Sequence, residues 1–557
     1  MPMIPPAPGP RARVAALVAG LHAALALPTA VAAPLPAQPP APPPAAAAPD
    51  RAMPDRAARL AAAFGDIDRA FRDHAAREHI PGAVWGVVVD GRLAHVGAVG
   101  RRDLEAGAPV DSATVFRIAS MTKSFTALAI LKLRDEGRLA LDDPAERWVP
   151  ELKALASPTS DAPRITIRHL LSHAAGFPED NPWGDQQLAV TDEAMSQMLR
   201  RGIPFSNAPG VAYEYSNYGF AILGRIVSQA SGMPYRQYVE TAILRPLGMT
   251  STTLEPAAVP TTRLAQGYRW EDGRWTREPQ LPDGAFGAMG GMLTSARDLG
   301  AYVGTFLAAW PPRDGAETGP VRRASLREMQ QLQRARPAVV TQSADGAVQL
   351  SSGGYGFGLG VTGNCSFAHV VGHSGGLPGF GSLMRWLPEY GVGVFALGNR
   401  TYAGWSGPVD GALGRLVRTG AVAPHVPQPS AALVGAREAV SRLVLRWDDA
   451  LADRVAASNL FRDRSRERRR AELAALLARV GPCRAGSGFA VVENALRGQW
   501  VMPCERGALR ASITLAPTMP PTVQYLEVTP VEVTPVRSPT PAAEETPAPD
   551  ARRYCPG

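Results

Sequence analysis

Phe116-Arg117-Ile118-Ala119-Ser120-Met121-Thr122-Lys123-Ser124-Phe125-Thr126-Ala127-Leu128 is the stretch on which the reading of this chain turns. A short apolar run, Val115 to Ala119, leads into a serine. Beyond it Met121, Phe125, Leu128 and Leu131 recur at helical spacing until Gly137 stops the pattern. The spacing predicts a helix with Ser120 at or near its N-terminus and Lys123 one turn on, along the same face. Unpaired N–H groups and the positive end of the helix dipole surround a serine so placed and favour a developing oxyanion. The same field, with burial, lowers the pKa of Lys123, and only a neutral lysine accepts a serine's proton. Ser-x-x-Lys alone is far more often a plain helix start with an N-cap serine. The partners elsewhere in the chain decide between the two.

With 557 residues, the chain is long enough for two or three domains and a large core. Its net charge of +8 is modest for that size, and no basic stripe is interleaved with aromatics, which argues against nucleic-acid binding. At the N-terminus Arg11 and Arg13 precede an apolar run, Val14 to Leu27, and Ala30-Val31-Ala32 supplies small residues in an A-x-A arrangement. That pattern predicts a secretory signal peptide over 1–32, cleaved after Ala32, and a secreted or periplasmic protein. The run is short for a membrane span and no cysteine follows it, so no stable membrane anchor is expected. Residues 33–52 read as a stiff Pro/Ala-rich linker.

Four cysteines, Cys365, Cys483, Cys504 and Cys555, suit an oxidising compartment. Cys483 and Cys504 bracket an expected strand pair, which predicts a disulfide between them. None of the four has the spacing of a zinc site.

In chain order, Arg56 to Glu78 has helical spacing. Ala83 to Val89 and Leu93 to Val99 flank Asp90-Gly91, a hairpin signal. Residues from about 140 to 260 read as helices and loops. His169 and His173, four apart, lack the third ligand and intervening Glu of a metal helix, and read as packing or hydrogen-bonding residues. Tyr215 and Asn217 stand two apart in an aromatic-rich turn before a helix from Phe220 to Ser231. There they can aim a phenol and an amide at one point. Ser295 begins a helix through Leu307. An irregular region follows, and then Val370 to Gly376 reads as a strand ending in glycines, His373-Ser374-Gly375-Gly376, where a backbone can approach a ligand closely. Gly381 to Leu387 and Val392 to Leu397 form a hairpin. Past a Pro-containing linker at 423–429 come helices over Ala431 to Leu451 and Arg466 to Val480. Short strands are expected at Phe489 to Val492, Trp500 to Pro503 and Leu509 to Leu515. The arginine-rich run Arg462 to Arg470 reads as a solvated helix face. Residues 527–557 read as a disordered Pro/Thr-rich tail.

Three motifs thus stand in order: Ser120-x-x-Lys123, Tyr215-x-Asn217 and His373-Ser374-Gly375. Together with Arg168 to Gly176, Gly290 to Leu299 and Gly372 to Gly376, they make the chain resemble the serine β-lactamase and penicillin-binding-protein superfamily, chiefly its class C-like branch, which includes D-peptidases and esterases. The resemblance covers about residues 60 to 420. It implies an α/β (α+β) fold over 53–422, an antiparallel sheet flanked by helices with a mostly helical lobe, leaving a small C-terminal α+β domain at 430–526. It also implies roles. Ser120 is the nucleophile and Lys123 helps remove its proton. Tyr215, as phenolate or hydrogen-bonded relay, acts as general base and then protonates the leaving group. Asn217 orients the substrate and Lys123, and His373, Ser374 and Gly375 line the substrate. The backbone N–H groups of Ser120 and Gly376 form the oxyanion hole. No metal or organic cofactor is implied.

One departure matters. The superfamily's Lys-Thr-Gly is His373-Ser374-Gly375 here, and an unperturbed histidine is mostly uncharged at neutral pH. The expectation is a histidine that donates a hydrogen bond, weak or absent β-lactam hydrolysis, and a small-molecule ester, amide or peptide substrate less dependent on a carboxylate. The alternatives are a β-lactamase or cell-wall DD-peptidase acting on wall material, and an inactive binding or sensor homologue. The intact set Ser120, Lys123, Tyr215 and Asn217 argues against the last.

Overall fold

The computed structural model describes residues 55–342, 348–425 and 427–531. The expected signal peptide, the Pro/Ala linker, and the tail beyond Val531 lie outside them.

Strand Gly82–Val89 explains the core. All eight of its residues are buried, which a strand achieves only when both faces of its sheet are covered. Val84 and Val88 face one apolar cluster, which also holds Phe125, Leu299 and Phe306. Ala83, Trp85, Val87 and Val89 face the other, against Leu60, Ile67 and Phe71 of helix Arg56–Arg77 and Val409 and Leu413 of helix Ser406–Arg418. Phe71 stacks on Trp85 with centroids 5.1 Å apart. Asp90 and Gly91, at φ 48° and 77°, turn the chain into the neighbouring strand Arg92–Asp103, as the Asp-Gly signal predicts.

Among the described residues the sheet has nine strands, in the order Ala108–Pro109, Arg92–Asp103, Gly82–Val89, Val392–Gly398, Phe380–Leu387, Val370–Leu377, Gly360–Asn364, Val348–Tyr355 and Arg334–Gln342. Every pairing is antiparallel. Helices cover both faces, and the helical segments between residues 122 and 244 make the lobe beside it.

Several expectations need correction. The stretch read as irregular holds helix Arg323–Met329 and the last three strands of the sheet. These strands are rich in Gly, Ser, Gln and Arg, so they carry little apolar alternation. The helix read through Leu451 breaks at Arg446. A new one, Asp449–Val455, starts from Asp448, whose carboxylate accepts the Leu451 N–H. The C-terminal residues form a four-stranded antiparallel sheet, Val491–Asn494, Arg497–Cys504, Gly507–Leu515 and Val523–Val531. Its apolar cluster, with Leu433, Trp500, Leu509 and Leu526, is made of residues from this part of the chain. The last strand runs through Glu527, so the expected boundary at 526 and the start of the disordered tail at 527 both fall inside paired structure. Cys483 and Cys504 do form the disulfide. Within the arginine run, Arg469 is buried and donates to Leu460 O and Leu526 O, while Arg468 is exposed.

Candidate active site

Ser120 sits in a 3-10 turn, Ala119–Met121, that runs directly into helix Thr122–Asp135. In such a turn residues three apart eclipse, which brings Lys123 over Ser120: the Nζ is 3.0 Å from the Oγ. The turn is held from several sides. Ala119 adopts φ 49°, a left-handed conformation unusual for a residue with a Cβ. Its carbonyl accepts from Thr122 Oγ1, and that oxygen accepts from Met292 N–H. The Ile118 carbonyl takes the Ser382 hydroxyl at 2.8 Å. At the start of a helix the Ser120 N–H has no intrahelical partner.

Lys123 is fully buried. Its Nζ also lies 2.6 Å from Asn217 Oδ1 and 2.8 Å from the Met289 carbonyl. Both of those oxygens only accept, so a neutral amine gives each of them one N–H and turns its lone pair to Ser120. Burial lowers the Lys123 pKa from 10.5 to about 7, against the raising charges of Asp185, Asp180 and Glu179.

Asn217 is the first residue of helix Asn217–Ser231, which begins three residues earlier than its apolar spacing suggests. Ser216 caps the helix by accepting the Gly219 N–H. Asp180, from the preceding loop, accepts the N–H groups of Asn217 and Tyr218 at 2.7 and 2.8 Å. Asn181 Oδ1 takes the Asn217 amide at Nδ2, 2.6 Å away, and this fixes which atom of Asn217 faces Lys123. The Asn217 side chain is wholly buried, so it orients Lys123 and presents no surface to a substrate.

Tyr215 lies with its ring 4.8 Å below the Lys123 Nζ. Burial pushes its phenol well above 10, and a hydrogen bond with Ser120 offsets this only partly. A resting phenolate is therefore disfavoured, and of the two expected forms the hydrogen-bonded relay fits. His173 supports it: the two rings are 4.3 Å apart, and His173 Nδ1 accepts the Ser216 N–H. His169 instead caps its own short helix through Thr166. Both histidines pack and hydrogen-bond, as their spacing predicts.

The strand Val370–Leu377 closes the site. Its odd residues face the nucleophile's lobe. A Cβ on Gly375 would fall 2.1 Å from Ile118 O and 3.1 Å from Ala119 Cβ, so only glycine lets the strand lie against the Ser120 turn. Pairing with the next strand ends at Gly372, which leaves the edge from His373 to Leu377 without a strand partner on that side among the described residues. Gly376 and the exposed Ser374 lie on this edge.

His373 donates its hydrogen bond inside the protein, to its own strand. Its Nδ1 is 2.5 Å from the Ser374 carbonyl, and its Nε2 is 2.7 Å from the Tyr355 hydroxyl. A carbonyl only accepts, so Nδ1 carries the hydrogen and Nε2 accepts from Tyr355. Burial, aided by the charge of Lys123, drops its pKa from 6.5 to about 3. Both nitrogens are committed inside the protein. The sequence reading missed Tyr355, Asp180, Asn181, the Met289 carbonyl and Asp185. Only Asp180-Asn181-Pro182, a turn signature, carries a local signal.

The Beta-lactamase family model matches residues 67–419. The chain is 32% identical to Esterase EstB of Burkholderia gladioli over 389 residues, 64% of this chain and 94% of that protein. It is 26% identical to Penicillin-binding protein 4* of Bacillus subtilis, over 50% of this chain and 58% of that one. In fold it matches the octameric penicillin-binding protein homologue from Pyrococcus abyssi, with a TM-score of 0.52, 23% identity, and 84% and 90% of the two chains covered. Ser120 under a buried lysine, in a sheet-and-lobe fold of this kind, belongs with that match: the chain is a member of the beta-lactamase family and a serine hydrolase.

Proposed function

We propose that the chain is an exported serine hydrolase that cleaves an ester or amide through an acyl-enzyme on Ser120. The observation that carries this reading is the Lys123 amine, whose two N–H groups have acceptors in Asn217 and Met289 and whose lone pair meets Ser120. In acylation the Ser120 hydroxyl gives its proton to Nζ while Oγ attacks the carbonyl carbon. The oxyanion forms between the N–H groups of Ser120 and Gly376. Tyr215 passes the proton from Lys123 to the leaving group as the ester or amide bond breaks. Water then attacks the acyl-enzyme, its proton travelling back along the same groups, and frees the acid.

The likeness to Esterase EstB supports ester chemistry. The uncharged His373 weighs against a penicillinase or wall DD-peptidase, whose substrates carry a carboxylate. Arg11, Arg13 and the apolar run to Leu27 support export, and residues 430 to 531 are proposed as an accessory domain because their apolar cluster is their own. The test is turnover of p-nitrophenyl acetate and butyrate, D-alanine p-nitroanilide and a chromogenic cephalosporin by wild type and Ser120→Ala. Ester or anilide turnover that vanishes in Ser120→Ala supports the reading. Cephalosporin turnover alone, or activity untouched by the substitution, overturns it.

A further inference from the structure

Three carboxylates lie close enough to Lys123 for their charge to reach it: Asp185, Asp180 and Glu179. Two of them are occupied or solvated. Asp180 accepts two backbone N–H groups of the Asn217 helix. Glu179 is exposed and accepts from Asn181.

Asp185 differs from both. It is 2% exposed; its Oδ2 accepts the Tyr402 hydroxyl at 2.9 Å, and its Oδ1 is buried with no hydrogen-bond partner among the described residues. A buried carboxylate oxygen without a donor is costly, and its charge also reaches Tyr215, the relay. Tyr402 holds a left-handed φ of 51° and is 45% exposed. Its ring lies against the oxyanion strand, since a Cβ on Gly376 would fall 2.4 Å from it. Tyr402 thus bridges the oxyanion edge and Asp185. Two residues before Asp185, Trp183 is also exposed and meets Tyr218 and Phe286 edge-on.

The cationic side of the ledger is thin. His373 is neutral with both nitrogens committed, and the exposed Arg336 lies over the Tyr213 ring, 5.2 Å from its centroid. Lys123 is held by three oxygens. An unpaired carboxylate beside exposed aromatic faces is the chemistry that binds an organic ammonium.

We propose that Asp185 and Tyr402 form a subsite for a positively charged amino group, so that the enzyme selects amino-acid esters or amides whose amine is free. This deepens the hydrolase reading and rests on it for the reaction, but not for the binding. An amine bound beside the exposed Tyr402 supplies the donor that Asp185 Oδ1 lacks.

Calorimetry on the Ser120→Ala chain tests binding without turnover. The ligands are L- and D-alaninamide, which are cationic, and their N-acetyl counterparts, which are neutral. At least one alaninamide is expected to bind tenfold or more tightly than its acetylated form. Asp185→Asn should abolish that ratio, and Tyr402→Phe, which keeps the carboxylate, should preserve it. Equal affinities, no binding of any ligand, or a preference that survives Asp185→Asn overturns the subsite. The ligand comparison stands on the parent chain even if Asp185→Asn does not fold. Loss of ester turnover in the wild type would sink the hydrolase reading, which this binding ratio does not report.

Discussion

The Tyr355 hydroxyl lies 2.7 Å from His373 Nε2, while the Ser374 carbonyl holds the other ring nitrogen at 2.5 Å. This pair of bonds fixes one tautomer of a buried, neutral imidazole in the position where the superfamily resemblance implies a lysine. The site consequently lacks the fixed cation that would receive a β-lactam's carboxylate there.

His373→Lys should therefore raise the second-order rate of acylation by benzylpenicillin by ~10-fold or more, equivalent to about 1.4 kcal/mol in the barrier. The rise is read from the time course of the drug adduct by intact mass. An unchanged rate would mean that His373 already does the work of that lysine.

The activity should titrate with Lys123. Protonated lysine cannot take the Ser120 proton, so kcat/KM for a neutral ester should rise with pH to a plateau, with a limb near the lysine's value of about 7. Below that limb the rate falls tenfold per pH unit. Lys123→Met should cost about 10²–10⁴-fold on the plateau and erase the limb. Stability gives a second readout with a definite sign. Between about 7 and 10.5 the folded chain binds fewer protons at this residue than the unfolded chain does. Lys123 therefore makes stability increase with pH across that window, and urea melts of Lys123→Met should lack this increment.

Gly375→Ala tests how closely the motif strand must approach the nucleophile. Its Cβ would fall 2.1 Å from Ile118 O and 2.5 Å from Ser382 Oγ. One of the two must give, and Ser382 is the group that holds Ile118 O. A loss of about 1–3 kcal/mol in denaturant melts is expected, with a fall in kcat larger than any change in KM. A variant with wild-type kcat would show that the strand does not set the nucleophile's position.

Asp180→Ala removes the carboxylate that caps the Asn217 helix, and should cost about 1–2 kcal/mol of stability. Because Asn217 starts that helix, kcat should fall as well. Asp180→Asn keeps an acceptor and should recover most of both. Melts and ester kinetics on the two variants check this, and equal damage in both would remove capping as the cause.

The parts of this site that sequence makes legible are those with local causes. Ser120 and Lys123 are readable because helix period alone puts them on one face, and Gly375 because glycines at a strand end announce a close approach. The central strand Gly82–Val89 is readable from its unbroken apolar run. What stays hidden depends on contacts far along the chain. Met289 O faces Lys123 from 166 residues away, and Tyr355 meets His373 from two strands away in the sheet, on a strand with little apolar alternation. Asn217 reads as a loop residue because its helix starts on a polar, capped turn before the apolar stripe begins. Glu527 reads as tail because its strand alternates around Thr, Glu and Pro, yet pairing with Gly507–Leu515 carries it to Val531.

The most direct test of the central claim is to trap the acyl-enzyme. Wild type and Ser120→Ala are mixed with p-nitrophenyl acetate, quenched in acid within the first turnovers, and mapped by peptide mass. The account predicts an acetyl group on the peptide carrying Ser120 in the wild type and none on it in the variant, with the wild-type yield rising with pH through about 7. Acetylation of another residue during turnover, or equal turnover by Ser120→Ala, would contradict it.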